Sequence, residues 1–353
     1  MNKLFLNISA EEQIIFAKHL AMMIKAGMSI LDSLKMLKKQ ARSKSMVKIL
    51  DSLMTEVSNG QFLSAALEKF RNIFGDFAVN IIRVGENSGV LYENLNYLAL
   101  QLNKTLELRK KVIGALIYPV IIIFATFGVA GVLTIYIFPK IVPVFKSLNV
   151  PLPLSTKILM AVSNFMLQYG VYVFDAIVVL IIGFWLLLKL KPVHYAFDKF
   201  LFHLPLFGTM IINYNTANFC RTFGLLLKSD IKVVEALSIT ADTIPNLVYK
   251  NELKKIALAV TKGEEISIQL EKNPKVFPGM VAQMVAVGET TGNLSENLVY
   301  LSEYYEKEVD DLAKNLSTIL EPVLMVIMGV VIGFIAISVI SPIYQVSQGL
   351  NVR

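Results

Sequence analysis

Three stretches of the chain lose their polar positions almost completely, while the rest mixes charged and apolar residues at helical spacing. Residues 112–138 carry no charge, residues 171–188 carry only Asp175 near one end, and residues 316–340 carry only Glu321 near the start. A helix rises about 1.5 Å per residue, so about 20 apolar residues cross a hydrocarbon core of ~30 Å. The pattern therefore predicts membrane spans over 112–138, 170–190 and 316–341. The flanking parts read differently. Ser9 with Glu12 has the spacing of a capping box before an apolar-periodic stretch ending at Ala26 and Gly27. Ser29 with Asp32 suggests a second start, and further helices are expected over about 43–58, 61–70 and 76–86. No alternating strand pattern stands out, so the expected class is all-α.

The pattern also repeats. Phe16, Lys25, Leu34, Gly60, Phe74, Pro119 and Pro139 recur as Phe219, Lys228, Leu237, Gly263, Phe277, Pro322 and Pro342, always 203 positions on. Each copy joins a helical bundle to a span, and the middle span belongs to neither copy. Without it the second copy would enter the membrane upside down, so this is a parallel duplication rather than an inverted one. The expected order is a short segment over 1–15, a bundle over 16–111, the first span, a loop over 139–169 outside the cytoplasm, and the second span. A second bundle over 191–315, the third span and a C-terminal segment over 342–353 outside the cytoplasm complete it.

The best-preserved stretch reads RVGENSGVLYENLNYL from Arg83 and AVGETTGNLSENLVYL from Ala286. Gly85 and Gly89, like Gly288 and Gly292, bracket a helix-to-helix junction where glycine tolerates a left-handed backbone. Beyond it Leu91, Leu95, Leu98 and Leu102 form an apolar seam, as do Leu294, Leu298, Leu301, Tyr305, Leu312 and Leu316. Each seam leads toward a span. Glu86 and Glu289 suit either a helix cap or a partner contact. Glu321 sits near the cytoplasmic end of its span, beside Pro322, with Tyr118 and Pro119 at the matching place. A carboxylate at a bilayer centre costs about 2.5–3.5 kcal/mol. Glu321 therefore either snorkels to the interface or makes a polar contact between helices.

Composition narrows the function. Hydrophobic residues make up 55% of 353 positions, and mean hydropathy is +0.58. Lys104, Arg109, Lys110 and Lys111 precede the first span, Lys189, Lys191 and Lys199 follow the second, and Lys307 and Lys314 precede the third. That bias places both bundles in the cytoplasm, against the opposing Lys140, Lys146 and Lys157. Residues 1–6 show no signal peptide. Residues 1–112 hold 16 basic against 10 acidic side chains, and residues 191–315 hold 13 against 15. Basic residues without interleaved aromatics do not suggest nucleic acid. Neither a phosphate loop nor a G-x-G-x-x-G run is present. His19, His194 and His203 are scattered, and Cys220 has no evident base, so neither enzyme chemistry, cofactor nor metal is expected.

The paired runs FAKHLAMMIKAGMSILDSLKML and FCRTFGLLLKSDIKVVEALSIT, the two G-E-x-[ST]-G-x-L turns, ALIYP at 115–119, LPLFG at 204–208 and LEP at 320–322 carry a resemblance. The chain resembles the F family of type II secretion and type IV pilus systems, the inner-membrane platform proteins. The resemblance spans about residues 16–342 and implies six-helix cytoplasmic bundles and oligomers of the chain itself. It also implies a hexameric secretion ATPase below and pilin or pseudopilin subunits in the membrane as partners. Two departures stand out. Asp230 replaces the glycine seen as Gly27, which suggests a tighter junction, and the segment before the first copy is short. A small oligomeric transporter or channel is the rival reading, with a membrane-anchored adaptor as a third. Polar residues lining a path would favour the transporter, yet the spans offer little beyond Asp175, Glu321 and a few hydroxyls.

Overall fold

The computed structural model describes residues 6–147, 153–204 and 207–350. Parts of the expected N-terminal segment (1–5), loop (148–152) and C-terminal segment (351–353) lie outside them, as do Pro205 and Leu206. Among the described residues the secondary structure is helical, without strands. The first copy comprises α1 (Ala10–Lys25), α2 (Ile30–Gln40), α3 (Lys44–Ser58), α4 (Leu63–Glu68), α5 (Arg71–Ser88) and α6 (Leu91–Val132). A π-helical turn at Leu133–Ile137 leads into α7 (Phe138–Ser147), and α8 (Leu154–Leu187) and α9 (Lys191–Leu201) follow. The second copy comprises α10 (Phe207–Lys228), α11 (Val233–Thr243), α12 (Leu247–Val260), α13 (Ile266–Glu271), α14 (Gly279–Thr291) and α15 (Leu294–Leu350).

Local chemistry sets the helix ends. The capping box at Ser9 forms in both directions, with Glu12 N–H on Ser9 Oγ and Ser9 N–H on Glu12 Oε2. Ser29 and Ser43 cap α2 and α3 in one direction only, their side chains accepting the N–H groups of Asp32 and Met46. Gly75 adopts φ 83° and breaks the start of α5, where the sequence suggested a gap between helices. At the end of α1, Gly27 has φ 80°, and at the end of α10 Asp230 has φ 60°. Asp230 therefore makes the same left-handed turn, not a tighter one. Ile231 N–H donates to Leu226 O at 3.1 Å where Met28 N–H donates to Met23 O at 3.0 Å. Aspartate accepts this conformation more readily than most side chains, because its short polar group bonds locally.

The chain divides into two compact units. One combines Met1–Lys111 with Tyr195–Leu312, and the other combines Val112–His194 with Ala313–Arg353. In the first, each bundle is built on the same aromatic pair. Phe16 lies 5.2 Å from Phe74 between ring centroids, and Phe219 lies 5.9 Å from Phe277. The bundles touch each other through α5 and α11 and along α6. In the second bundle Tyr249 is fully buried, and its hydroxyl donates to Val276 O at 2.6 Å and meets Thr216 Oγ1.

The second unit holds the apolar helices. Leu91–Pro143, Leu154–Leu187 and Leu294–Tyr344 are each long and apolar enough to cross a membrane. Side chains such as Phe124, Leu180 and Val326 face outward. Lys140 lies 3.7 Å over the Tyr136 ring, and Lys189 lies 3.7 Å over Trp185. Such aromatic–cation pairs suit the headgroup level. The segment over 139–169, expected as a loop, is mostly helix: α7 continues the first span, and α8 starts at Leu154. Ser155, Thr156, Lys157, Ser163, Asn164 and Gln168 dilute its hydropathy, and so the pattern hid a helix. The C-terminal segment is likewise helical as far as Leu350.

Two of those polar residues answer a need created by proline. Pro342 has no N–H for the carbonyl of Ser338 one turn earlier, and that carbonyl accepts the Thr156 hydroxyl at 2.8 Å. Pro139 follows the π turn, whose wider spacing leaves Thr134 O without its donor, and Thr134 O accepts Ser163 Oγ at 2.8 Å. The matching prolines of the two copies are thus both served by α8. Phe138, Leu159 and Ile335 form the small core around these bonds. In lipid each backbone group lacking a partner costs free energy that water cannot relieve. Thr156→Val is expected to lower stability by about 1–2 kcal/mol, and Ser163→Ala by a similar amount, read as earlier thermal unfolding in detergent. Unchanged melting of both variants would show that these bonds contribute nothing.

Candidate functional site

The repeated glycine–glutamate stretch folds into the same junction twice. α5 ends at Gly89, whose φ of 73° is left-handed, and α14 ends at Gly292 with φ 76°. After one intervening residue the chain turns back as α6 or α15. The reversal brings two backbones into contact. A Cβ on Gly85 would lie 2.9 Å from Leu91 Cα, and one on Gly288 would lie 2.8 Å from Leu294 Cα. Gly85 and Gly288 therefore sit inside their helices and permit close approach. This corrects the expectation that they supply a left-handed backbone; Gly89 and Gly292 alone do that.

An amide locks the same contact. Asn94 Nδ2 donates to Ile81 O at 3.0 Å, and Asn297 Nδ2 donates to Met284 O at 3.1 Å. Neither asparagine was singled out from the sequence, although both occupy the same register in ENLNYL and ENLVYL. Their identical 203-residue offset was the available signal. The carboxylates reach elsewhere. Glu86 accepts the N–H groups of Leu63 at 2.6 Å and Ser64 at 2.8 Å, and Glu289 accepts those of Ile266 at 2.7 Å and Ser267 at 3.1 Å. These are the first amides of α4 and α13, whose own N-cap residues, Phe62 and Glu265, provide no side-chain cap. A carboxylate there also meets the positive end of the helix dipole. Each junction ties three helices together.

The seams follow from the junctions. Leu91, Leu95 and Leu98 are buried along α6, as are Leu298, Leu301, Tyr305 and Leu316 along α15, with Leu294, Leu102 and Leu312 half-buried. Pro119 and Pro322 lie inside uninterrupted helices, Pro119 buried and Pro322 exposed, and Glu321 is exposed beside it. The structure does not bring these three to the junctions. Chemically, each junction offers a carboxylate already committed to backbone amides. Among the described residues no group of three His, Cys, Asp or Glu side chains could hold a metal. Cys220 is buried, and burial pushes its thiol well above the usual range.

Two substitutions separate the glycine roles. Gly85→Ala is expected to cost about 1–3 kcal/mol because backbone must move. Gly89→Asn should cost less than about 1 kcal/mol, since asparagine enters the left-handed region. Glu86→Ala should speed amide exchange at Leu63 and Ser64. Equal melting of the two glycine variants, or unchanged exchange, would contradict this geometry.

Comparison with known proteins gives the same division. The family described as type II secretion system (T2SS), protein F, matches residues 16–139 and again residues 219–342. A type IV pilus assembly protein PilC of Thermus thermophilus is 34% identical over 339 residues, covering 96% of this chain and 83% of the relative. A PilC of Pseudomonas aeruginosa is 30% identical over 335 residues, covering 95% and 89%. The type II secretion system protein F of the same organism is 29% identical over 341 residues, covering 97% and 84%. With two family matches at the internal repeat and three apolar helices able to cross a membrane, the chain is a membrane protein belonging to the type II secretion system protein F family.

Proposed function

We propose that the chain is a non-enzymatic platform in the inner membrane of a type IV pilus or type II secretion machine. Both bundles face the cytoplasm. They receive movement from a separate hexameric ATPase, and α6 and α15 relay it to the spans, where pilin or pseudopilin subunits are lifted out of the bilayer or returned to it. One observation carries this reading. In each copy one continuous helical run provides the bundle's apolar seam and then a span, Leu91–Pro143 with its π turn in the first and Leu294–Tyr344 in the second. A helix closes its backbone hydrogen bonds within itself, which supports its use as a link between bundle and span. The polar side chains Thr156 and Ser163 are engaged with backbone carbonyls of neighbouring helices. That use supports packing rather than a transport path.

A tagged chain extracted from membranes is expected to bring down an ATPase and pilin-like subunits. A deletion strain should lose filaments or secretion, and the purified chain alone should not turn over ATP. Normal filaments in the deletion strain, or ATP hydrolysis by the pure chain, would contradict the reading. Ion or solute flux through liposomes carrying the chain would favour a transporter instead.

A further inference from the structure

The two copies are unequally covered. α10 buries residues on every side, including Arg221, Thr222 and Leu225, whereas its counterpart α1 buries only Phe16, Ala17, Leu20 and Ala21. The first bundle supplies the cover. Gln101 Nε2 donates to Thr222 Oγ1 at 2.8 Å, Thr105 Oγ1 donates to Asn218 Oδ1 at 3.1 Å, and Lys228 lies 5.8 Å from the Tyr97 ring centroid. This contact uses the α5–α6 face of one copy and the α10–α11 face of the other. Because the faces differ, the contact is head-to-tail and leaves one face of each kind unused.

The unused faces are apolar where their counterparts are buried. Met22 is 51% exposed where Leu225 is 3% exposed, and Tyr304 is 39% exposed where Gln101 is 7% exposed. Ile15 and Met36 on the first copy and Tyr300 and Met280 on the second are also exposed. Charge fits as well. Inside the chain, Lys104 and Lys111 of the basic first bundle pair with Glu306 at 3.5 Å and Asp310 at 3.1 Å of the acidic second bundle. A contact between the second bundle of one chain and the first bundle of another again joins a net-acidic bundle to a net-basic one, and the 203-residue offset sets Lys314 against Glu107 of the next chain.

We propose that the α1–α2 face of one chain receives the α14–α15 face of a second copy, repeating between chains the contact that joins the bundles within one. The 203-residue offset fixes the pairs. Tyr304 meets His19 of the next chain as Gln101 meets Thr222, and Glu308 lies by Ile15 as Thr105 lies by Asn218. Lys25, which sits 4.9 Å over Tyr92 in its own bundle, gains Tyr300 as Lys228 has Tyr97. Chains held in one membrane share its normal, so repetition has no rise along that axis, and it forms a ring where the rotation divides a full turn. The inference goes beyond the platform reading, because it depends on the duplication and not on which motor drives it.

Crosslinking of the full chain in membranes tests it, with Cys220→Ala as background. Two differently tagged chains are co-produced, one carrying Ile15→Cys and the other Glu308→Cys, and treated with a short bis-maleimide. The expected product carries both tags, and a chain with both substitutions gives a ladder ending at a fixed size. The in-chain pair Thr105→Cys with Asn218→Cys, in the same membranes, reports that the bundles remain folded and joined. Closure of that control without a mixed-tag product overturns the proposal, as does linkage of Glu308→Cys only to itself or of Ile15→Cys only to another protein. Failure of the control removes the template contact and overturns it equally.

Discussion

Two helices of each copy touch through backbone rather than side chain, and most of the architecture depends on that contact. The Leu91 backbone leans on Gly85 and the Leu294 backbone on Gly288, at distances that exclude even a methyl group. Close approach lets a single amide, from Asn94 or Asn297, bridge to the neighbouring helix. It also aims Glu86 and Glu289 at the short helices α4 and α13, which lack caps of their own. A long helix is thereby fixed in its bundle at the end far from its apolar extension. Interiors packed to crystal-like density do not deform continuously, so each junction holds its helices in one arrangement.

A second constraint acts among the apolar helices. Prolines at matching places, 139 and 342, each remove a backbone N–H, and a hydroxyl of α8 donates in its place in both cases. The middle span is therefore more than a topological correction. Belonging to neither copy, it serves both. The duplication is consequently asymmetric in its use: α8 serves the two prolines through different residues, Ser163 and Thr156, and α10 is enclosed while α1 stays open.

Much of this was legible in the sequence. Apolar runs without charge mark the spans because lipid tolerates little else. Ser9 with Glu12 and Ser29 with Asp32 mark helix starts because caps are local chemistry. The repeat was visible because 203 positions separate every matched pair. What escaped was tertiary. Gly85 resembles Gly89 in sequence, and only folding shows that one needs space and the other needs positive φ. Asn94, Asn218 and Thr222 drew no notice in the sequence, yet each bonds to another helix. Helix α8 was cut short because Thr156 and Ser163 look hydrophilic until their carbonyl partners are placed beside them. Asp230 suggested a different junction, although its backbone follows the path of Gly27.

One motor can address two like bundles only if both lie on the cytoplasmic face. The most direct measurement places single cysteines, Lys44→Cys in the first bundle or Lys262→Cys in the second, in a Cys220→Ala chain in intact cells. A membrane-impermeant maleimide is then applied before and after the cells are opened. Both positions should be protected in intact cells and labelled once the cytoplasm is exposed. Labelling of either one from outside would put the bundles on opposite faces, and no single motor could drive them.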